Sequence, residues 1–268
     1  MWTFTADVEE YAAAAEAFLL TDPVGNTVPL TVLANVRGGM PADEAFFGWW
    51  TGADGEVRGA AFRTPPHPVG LARMAVETIA PLAEVLKGDL PEVQGPLELT
   101  DALAEHLGPP ERVMAERLYR LGDLSLPEVS GRGRLAGPAD FPLLVSWFLA
   151  FGDEVGLGLG RDPSEQVEHR LAGRQLFLWE DDGAPVSLAA LSPAAGGVCR
   201  IGPVYTPPAC RRRGYGAAVT AHASRVALEE RCEQVVLFTD LANPTSNKVY
   251  QSIGYVPVSD YAQVTYRG

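Results

Sequence analysis

The sequence predicts an α+β protein in two domains, 1–127 and 128–268, each built on a mixed sheet with helices on both faces. Three observations carry this. The second half orders its apolar periods as helix, helix, hairpin, strand, helix, strand, helix and two strands. The first half runs through two helices, a hairpin, a helix, a strand, a helix and a strand. Between them, residues 125–137 are rich in Gly, Pro and Ser, the composition of a linker. A chain of 268 residues is also long enough for two cores.

Taken in order, residues 7–20 read as a helix with an alanine-rich apolar face. Asp22-Pro23-Val24-Gly25-Asn26 is a turn, and 27–36 a second helix or a buried apolar run. Residues 45–51 and 56–63 are strands around the turn Gly52-Ala53-Asp54-Gly55. Residues 71–86 are expected as one helix kinked at Pro81. A short strand at 92–95, a helix at 97–107 and a strand at 111–121 complete the first half. The linker region also holds the first strand of the second half. Helices at 139–152 and 163–171 follow, the latter capped by Asp162 and started by Pro163. Residues 174–180 and 185–191 form a hairpin over 181–184. Strands at 197–206 and 234–240 come next, and 256–259 and 262–267 close the sheet.

Composition narrows the function. The hydrophobic content of 47% and charged content of 21% are globular. The net charge of −13 argues against a nucleic-acid partner. From Asp140 onward the chain has 11 basic and 14 acidic residues, against 10 and 20 before it. The first half therefore carries the acidity, and the second is balanced enough to hold an anionic ligand. Cys199, Cys210 and Cys232 have no metal-ligand spacing and are too few for a disulfide framework, so a reduced, cytoplasmic setting is expected. The N-terminal residues lack the basic start of a signal peptide, and no apolar run reaches a membrane span of about 20 residues. Only Lys87 and Lys248 are lysines, so arginine as a type says little, whereas its clustering at 211–213 says more.

That cluster lies in the most informative stretch, Val204-Tyr205-Thr206-Pro207-Pro208-Ala209-Cys210-Arg211-Arg212-Arg213-Gly214-Tyr215-Gly216. Pro207 and Pro208 stop a strand, because proline donates no ladder hydrogen bond. From Ala217 the pattern is helical, with Ala218, Val219, Ala221, Ala223, Val226 and Ala227. A helix N-terminus offers free N–H groups and the positive end of the dipole, and Gly214 and Gly216 let an oxyanion approach the backbone. The stretch reads as a phosphate cradle. It lacks the Lys-Ser/Thr of a P-loop and the third glycine of a dinucleotide loop. Beyond the strand at 234–240, Asn243 is an N-cap, Pro244 the first helical residue and Gly254 a stop signal.

These residues resemble the GNAT superfamily of N-acetyltransferases. Arg211, Gly214 and Gly216 match its Arg/Gln-x-x-Gly-x-Gly/Ala loop, with Pro208 before them. Asn243, Ser246, Tyr250, Gly254 and Tyr255 fill all five places of its second motif. The resemblance covers about 132–268 and implies an acyl-CoA N-acyltransferase fold with acetyl-CoA as co-substrate. The first half has a similar element order but, after Pro68, Val69-Gly70-Leu71-Ala72-Arg73 where the loop would fall. It is expected to be a degenerate copy that has lost the cofactor, or a plain accessory domain.

On this resemblance, backbone N–H groups from Arg212 to Ala217, including Arg213, Gly214, Tyr215 and Gly216, hold the pyrophosphate with Arg211. Val204, Tyr205 and Thr206 present backbone to the pantetheine, and an N–H near Val204 serves the oxyanion. Asn243, with Ser246 and Asn247, is expected at the pantetheine amides. Tyr250 is the general acid for the leaving thiolate, since a phenol near pKa 10 is protonated at neutral pH. No base is evident: Arg200 and Gly202 stand where the family often has Glu, leaving Asp240, Glu180, His222 or a water relay. His67, His106 and His169 carry no motif, and no metal site or Ser-His-Asp elbow is read. The expected activity is direct acetyl transfer to a primary amine of an unidentified acceptor: polyamine-like or antibiotic amines, amino acids and protein N-termini are all open, and the acidity of the first half leans to a small cationic molecule. The N-terminal domain would shape the acceptor cleft or form a homodimer. The competing reading is a non-catalytic acyl-CoA sensor or scaffold; a nucleotide-binding module fits the second motif poorly.

Overall fold

A computed structural model describes residues 1–87, 92–156 and 162–266. The N-terminal half contains strands β1 (Trp2–Thr5), β2 (Phe46–Thr51), β3 (Val57–Arg63), β4 (Val69–Leu71), β5 (Glu92–Pro96) and β6 (Arg112–Leu121). Its helices are α1 (Val8–Leu19), α2 (Thr27–Arg37), α3 (Ile79–Leu86) and α4 (Leu97–Leu107). The C-terminal half contains β7 (Arg132–Leu135), β8 (Leu176–Asp181), β9 (Ala184–Leu191), β10 (Val198–Tyr205), β11 (Gln234–Asp240) and β12 (Tyr255–Thr265). Its helices are α5 (Phe141–Val155), α6 (Ser164–Ala172), α7 (Tyr215–Glu230) and α8 (Pro244–Ser252).

Local chemistry sets the helix starts. The Asp7 carboxylate accepts from the N–H groups of Glu9 and Glu10 at 2.8 and 3.4 Å, capping α1. Asn243 caps α8 by accepting from Ser246 N–H at 3.0 Å, with Pro244 at the first position. Gly156, in the left-handed region at φ 72°, ends α5.

All twelve strands form one sheet, ordered β1-β2-β3-β4-β5-β12-β6-β11-β10-β9-β8-β7. Replacing each strand by the one six places away and reading backwards returns the same order. The pairing senses agree as well. The pairs β4–β5 and β10–β11 are parallel, and every other pair is antiparallel. The chain is thus a tandem of two copies of one fold, related by a two-fold axis between β6 and β12. Each half has given its sixth strand to the other: β12 lies between β5 and β6, and β6 between β11 and β12.

Helices cover both faces of this sheet. Helices α1 and α2 pack Tyr11, Leu19 and Leu30 on Phe47 and Phe62, while α3 and α4 pack Leu82 and Leu99 on Leu71, Val93 and Val264. In the other half, α5 and α6 bury Leu144, Trp147 and Val167 on Leu176 and Leu188. Helices α7 and α8 cover Leu237, Ile201 and Tyr119 from the opposite side. A two-fold axis normal to the sheet puts α1, α2, α5 and α6 on one face. Accordingly Arg200 of β10 donates to Thr27 O of α2 at 3.1 Å. The central strand is buried on both sides, with Leu118 and Tyr119 each 0% exposed.

Three expectations need correction. Residues 71–86 are not one helix: Val69–Leu71 is a strand, a 3-10 turn spans Val76–Thr78, and α3 begins at Ile79. Pairing with β3 and β5 outweighs helix periodicity there, and a side chain at Gly70 would strike the Phe62 ring at 2.3 Å. Pro81 sits in the first turn of α3, where its missing N–H has no intrahelical acceptor to serve, so it does not act as a kink. The two closing strands are one strand, β12, with a register shift between Pro257 and Ser259 that makes the sequence read as broken. Strand β1 was not foreseen.

The exchange makes each half's sheet depend on the other half's chain. Polypeptides 1–127 and 128–268 produced separately should each fail to give a stable monomer, and mixing them should restore a one-to-one complex. Circular dichroism and sedimentation of each piece and of the mixture test this; two stable monomers that ignore one another would contradict it.

Candidate active site

The parallel pair β10–β11 holds for only four residue pairs, Val198–Ile201 against Gln234–Leu237. Beyond Ile201 the strands part. Strand β10 shifts register and follows β9, with Val204 opposite Ala189 and Tyr205 opposite Leu188. Strand β11 stays with β6 as far as Asp240, opposite Glu116. The wedge between them leaves residues 202–205 of β10 without a strand partner on the β11 side. Val204 and Tyr250 border the same apolar cluster beneath α7. The Tyr205 ring is buried against Trp147 at 5.9 Å, so only its backbone can serve a ligand. Ser187 fixes the end of β10: its hydroxyl donates to Tyr205 O at 3.0 Å and lies 2.8 Å from Thr206 Oγ1.

The basic loop leads from this strand end to α7. Arg212 and Gly214 have φ of 61° and 83°, and residues 211–214 are exposed. No side chain caps α7, so the first-turn N–H groups of Tyr215, Gly216 and Ala217 lack an intrahelical acceptor. The Tyr215 hydroxyl bonds Asp181 and ties this turn to the β8–β9 hairpin. Arg211 is committed differently from the free cation expected. It donates to Thr206 O at 2.8 Å and pairs with Glu154 of α5 at 2.5 and 2.7 Å. An ion pair this exposed is worth about 0–1 kcal/mol and closes the loop only loosely.

The second motif is built around α8. The Asn243 side-chain oxygen serves the cap, while the residue itself is exposed. Asn247 is consumed by structure: its amide donates to Asp240 O and Asn243 O at 2.9 and 2.8 Å, and its oxygen accepts from Tyr119 at 2.9 Å. The Ser246 hydroxyl has no partner among the described residues. Tyr250 stacks edge-on against Tyr255 with ring centroids 6.2 Å apart. Burial pushes its phenol up to about 12, so it is protonated at neutral pH, and its hydroxyl has no partner among the described residues.

The three base candidates separate clearly. Glu180 is held by Arg134 at 2.7 Å, at the far edge of the sheet. His222 packs over Gly133 and edge-on to Phe177 at 5.9 Å, and burial lowers its pKa. Asp240 remains, exposed at the end of β11 and accepting from Ala242 N–H at 2.7 Å. Directly opposite stands a carboxylate the sequence reading missed, Glu116 of the exchanged strand β6. Its pKa is raised by burial first and then by the Asp240 carboxylate, against a weak hydrogen bond from Gln94 at 3.4 Å and the charge of Arg200. The available signal was a glutamate inside a strand whose two faces are both apolar further along, at Leu118 and Tyr119.

The N-terminal half lacks this machinery. Tyr261 faces Glu116 across the two-fold axis and stands opposite Pro96, the end of β5, as Glu116 stands opposite Asp240. Its hydroxyl donates to Gly25 O at 2.8 Å. The Asn26 side chain accepts from Arg73 N–H at 2.8 Å just past β4. A groove of about 590 Å³ beside it is lined by Arg73, Glu98 and the ion-paired Arg117 and Asp260.

A splayed parallel pair running into an uncapped helix, in a sheet that repeats by two-fold symmetry, defines a tandem acyltransferase-type fold. Residues 145–255 match the model of the acetyltransferase (GNAT) family, and the C-terminal half is a domain of that family. No curated protein sequence matches the chain. Among solved structures, a GNAT-family acetyltransferase from Colwellia psychrerythraea superposes with TM-score 0.64 at 10% identity, over 100% of both chains. A GCN5-related N-acetyltransferase from Sphaerobacter thermophilus gives 0.64 at 16% identity, over 98% of this chain and 94% of that one. A tandem GNAT protein of the clavulanic acid biosynthesis pathway gives 0.60 at 13%, over 100% and 99%. These identities establish the fold, in which the tandem arrangement is shared. No described helix is long and apolar enough to cross a membrane.

The raised Glu116 pKa has a stability consequence. A folded value above the unfolded one, about 4.3, means no penalty below that pH and a loss of stability as pH rises through the folded value. Glu116→Gln should therefore match wild type near pH 4 and gain thermal stability over it toward about pH 8. Melting temperatures of both proteins across this range check the sign; a constant difference would refute it.

Proposed function

We propose that the C-terminal half, 128–268, binds acetyl-CoA and transfers its acetyl group to a primary amine of a small acceptor. The first half, 1–127, is an accessory copy that walls the acceptor side. The observation that carries this reading is the open wedge of β10–β11 ending at the uncapped N-terminus of α7.

The residues fit the co-substrate. The N–H groups of residues 212–217 converge on a place for a pyrophosphate, with Arg212 and Arg213 exposed beside it and Arg211 held by a pair weak enough to yield. Backbone of Val204, Tyr205 and Thr206 lines the wedge for the pantetheine, with Val204 N–H toward the thioester oxygen. Asn243 and Ser246 offer an exposed amide and a hydroxyl without a protein partner to the amide groups. Bound acetyl-CoA supplies an activated acyl group. Asp240 and Glu116 take the proton that the acceptor ammonium must lose before attack. The amine nitrogen forms the C–N bond, Tyr250 donates its phenolic proton to the sulfur as the C–S bond breaks, and the second N–H proton that the nitrogen loses on becoming an amide restores the phenol. Asp240, Glu116 and Tyr250 all lie at the rim or lining of one wedge, which supports transfer over mere binding.

Two variants test the reading. Gly216 has an ordinary φ, and a Cβ there would meet only Thr206 Oγ1 at 3.4 Å, so Gly216→Glu places a carboxylate in the cradle without backbone strain. Calorimetric titration should show acetyl-CoA binding by wild type and its loss in that variant. Tyr250→Phe should bind acetyl-CoA normally and lose turnover by about 10²-fold. Unchanged turnover would remove Tyr250 from the chemistry, and absence of binding by wild type would sink the whole reading.

A further inference from the structure

Two guanidinium groups beside the C-terminal wedge lack an anion. Arg200 leaves β10 toward α2, where its Nη1 donates to Thr27 O at 3.1 Å and Thr31 Oγ1 at 3.4 Å. Its Nε and Nη2 meet no acceptor among the described residues. Arg170 reaches from α6 over the Phe148 ring, 6.0 Å from its centroid, to Gly202 O at 3.5 Å. Neither has a carboxylate within 4.0 Å among the described residues, unlike Arg117, Arg134 and Arg211. Both are partly exposed. Yet burial lowers each to about 10, and for Arg200 the charge of Arg170 adds to it. Both side chains are thus densely surrounded yet partly open to solvent, beside the β10 end of the wedge, the cleft of the proposed acceptor.

Buried charges are normally paired, because losing hydration without a counter-ion is unfavourable. Here two like charges converge at the β10 bulge, on the face that α2 and α6 enclose. The Glu116 carboxylate is near enough for its charge to act on Arg200, yet neither it nor Asp240, opposite it on β11, forms an ion pair with either arginine. The cleft therefore has a cationic side and an anionic side, with formal charges that balance.

We propose that Arg170 and Arg200 bind the carboxylate of the acceptor, so that the acceptor is an amino-acid-like zwitterion whose ammonium faces Glu116 and Asp240. This rests on the wedge being the transfer site. Guanidinium forks match a planar carboxylate through charge-assisted hydrogen bonds. A dianionic group would meet stronger repulsion from the two acidic residues, which favours a monoanion.

The experiment pairs acids with their amides. Thiol release from acetyl-CoA is followed on the full chain with the twenty common amino acids and, in parallel, their carboxamides, which keep the amine and lose the carboxylate. At least one acid should be acetylated, with kcat/KM about tenfold or more above its amide. Arg170→Met should raise KM for that acid about tenfold or more, leaving acetyl-CoA affinity and the amide rate unchanged. Because Arg200 also ties the halves together, Arg200→Lys is the milder second variant and should shift KM in the same direction. Amides used as well as acids, or an Arg170→Met protein with unaltered KM, would overturn the proposal. So would a wild type that binds acetyl-CoA and acetylates no acid, with the transfer reading left standing. Failure to bind acetyl-CoA would bring down the transfer reading, and this proposal with it.

Discussion

The exchange of β6 and β12 is the constraint on which the remaining structure depends. Strand β6 belongs by chain order to the first half, yet its neighbours are β11 and β12 of the second. Its backbone groups are satisfied only there, and unpaired buried backbone groups are too costly to leave. Leu118 and Tyr119, both fully buried, contribute about 1.5–3 kcal/mol each through burial on opposite faces of the joint sheet. The two halves therefore share one sheet instead of touching through a conventional domain interface. The proposed chemistry follows from the same fact, because a residue from the first half, Glu116, stands opposite Asp240 at the wedge of the second.

Symmetry brings the halves together, and local chemistry separates them. Both contain a short parallel pair followed by a helix. In the C-terminal half the strand runs through an exposed Arg-rich loop into α7, with Gly214 in a left-handed conformation that other residues adopt only with strain. In the N-terminal half β4 is three residues long, the Ala72 N–H beyond it is taken by Ala60 O, and the Arg73 N–H by the Asn26 side chain. Where the wedge of the C-terminal copy meets the Glu116 carboxylate, the other copy holds Tyr261, a phenol already bonded to Gly25. One copy keeps backbone donors open to a ligand, and the other has turned them inward.

What could be read from sequence follows the range of the interactions involved. The helices α1, α4, α5 and α7 rest on periodicity, with a side-chain cap only at α1, and these local signals were legible. The strand-loop-helix course through 204–216 was legible because Gly214, Gly216 and the prolines are neighbours in the chain. The strand exchange was not, since it depends on partners such as Glu116 and Asp240, far apart in the chain. Leu71 was taken into a helix, and Val69 and Gly70 given no element, because three residues carry no periodicity of their own; their strand state comes from the flanking ladders. Arg170 and Arg200 looked ordinary for the same reason: an arginine without a counter-ion is recognised only when its surroundings are known.

The net charge of a chain and the charge inside a site are separate quantities. The acidity of the first half suggests a cationic ligand, but much of it lies on the surface. Glu9 and Glu16 pair with Arg37 in the open, and Asp54 with Arg58. Charges of that kind are screened within about 8–10 Å at ordinary ionic strength. In the proposed acceptor cleft the field is set instead by Arg170 and Arg200, which burial leaves less screened than those surface pairs. A ligand entering there responds to those two guanidiniums and to the carboxylates across from them, whatever the total charge of the chain. A zwitterion satisfies both sides; a simple polyamine would leave the arginines unpaired and add repulsion to them.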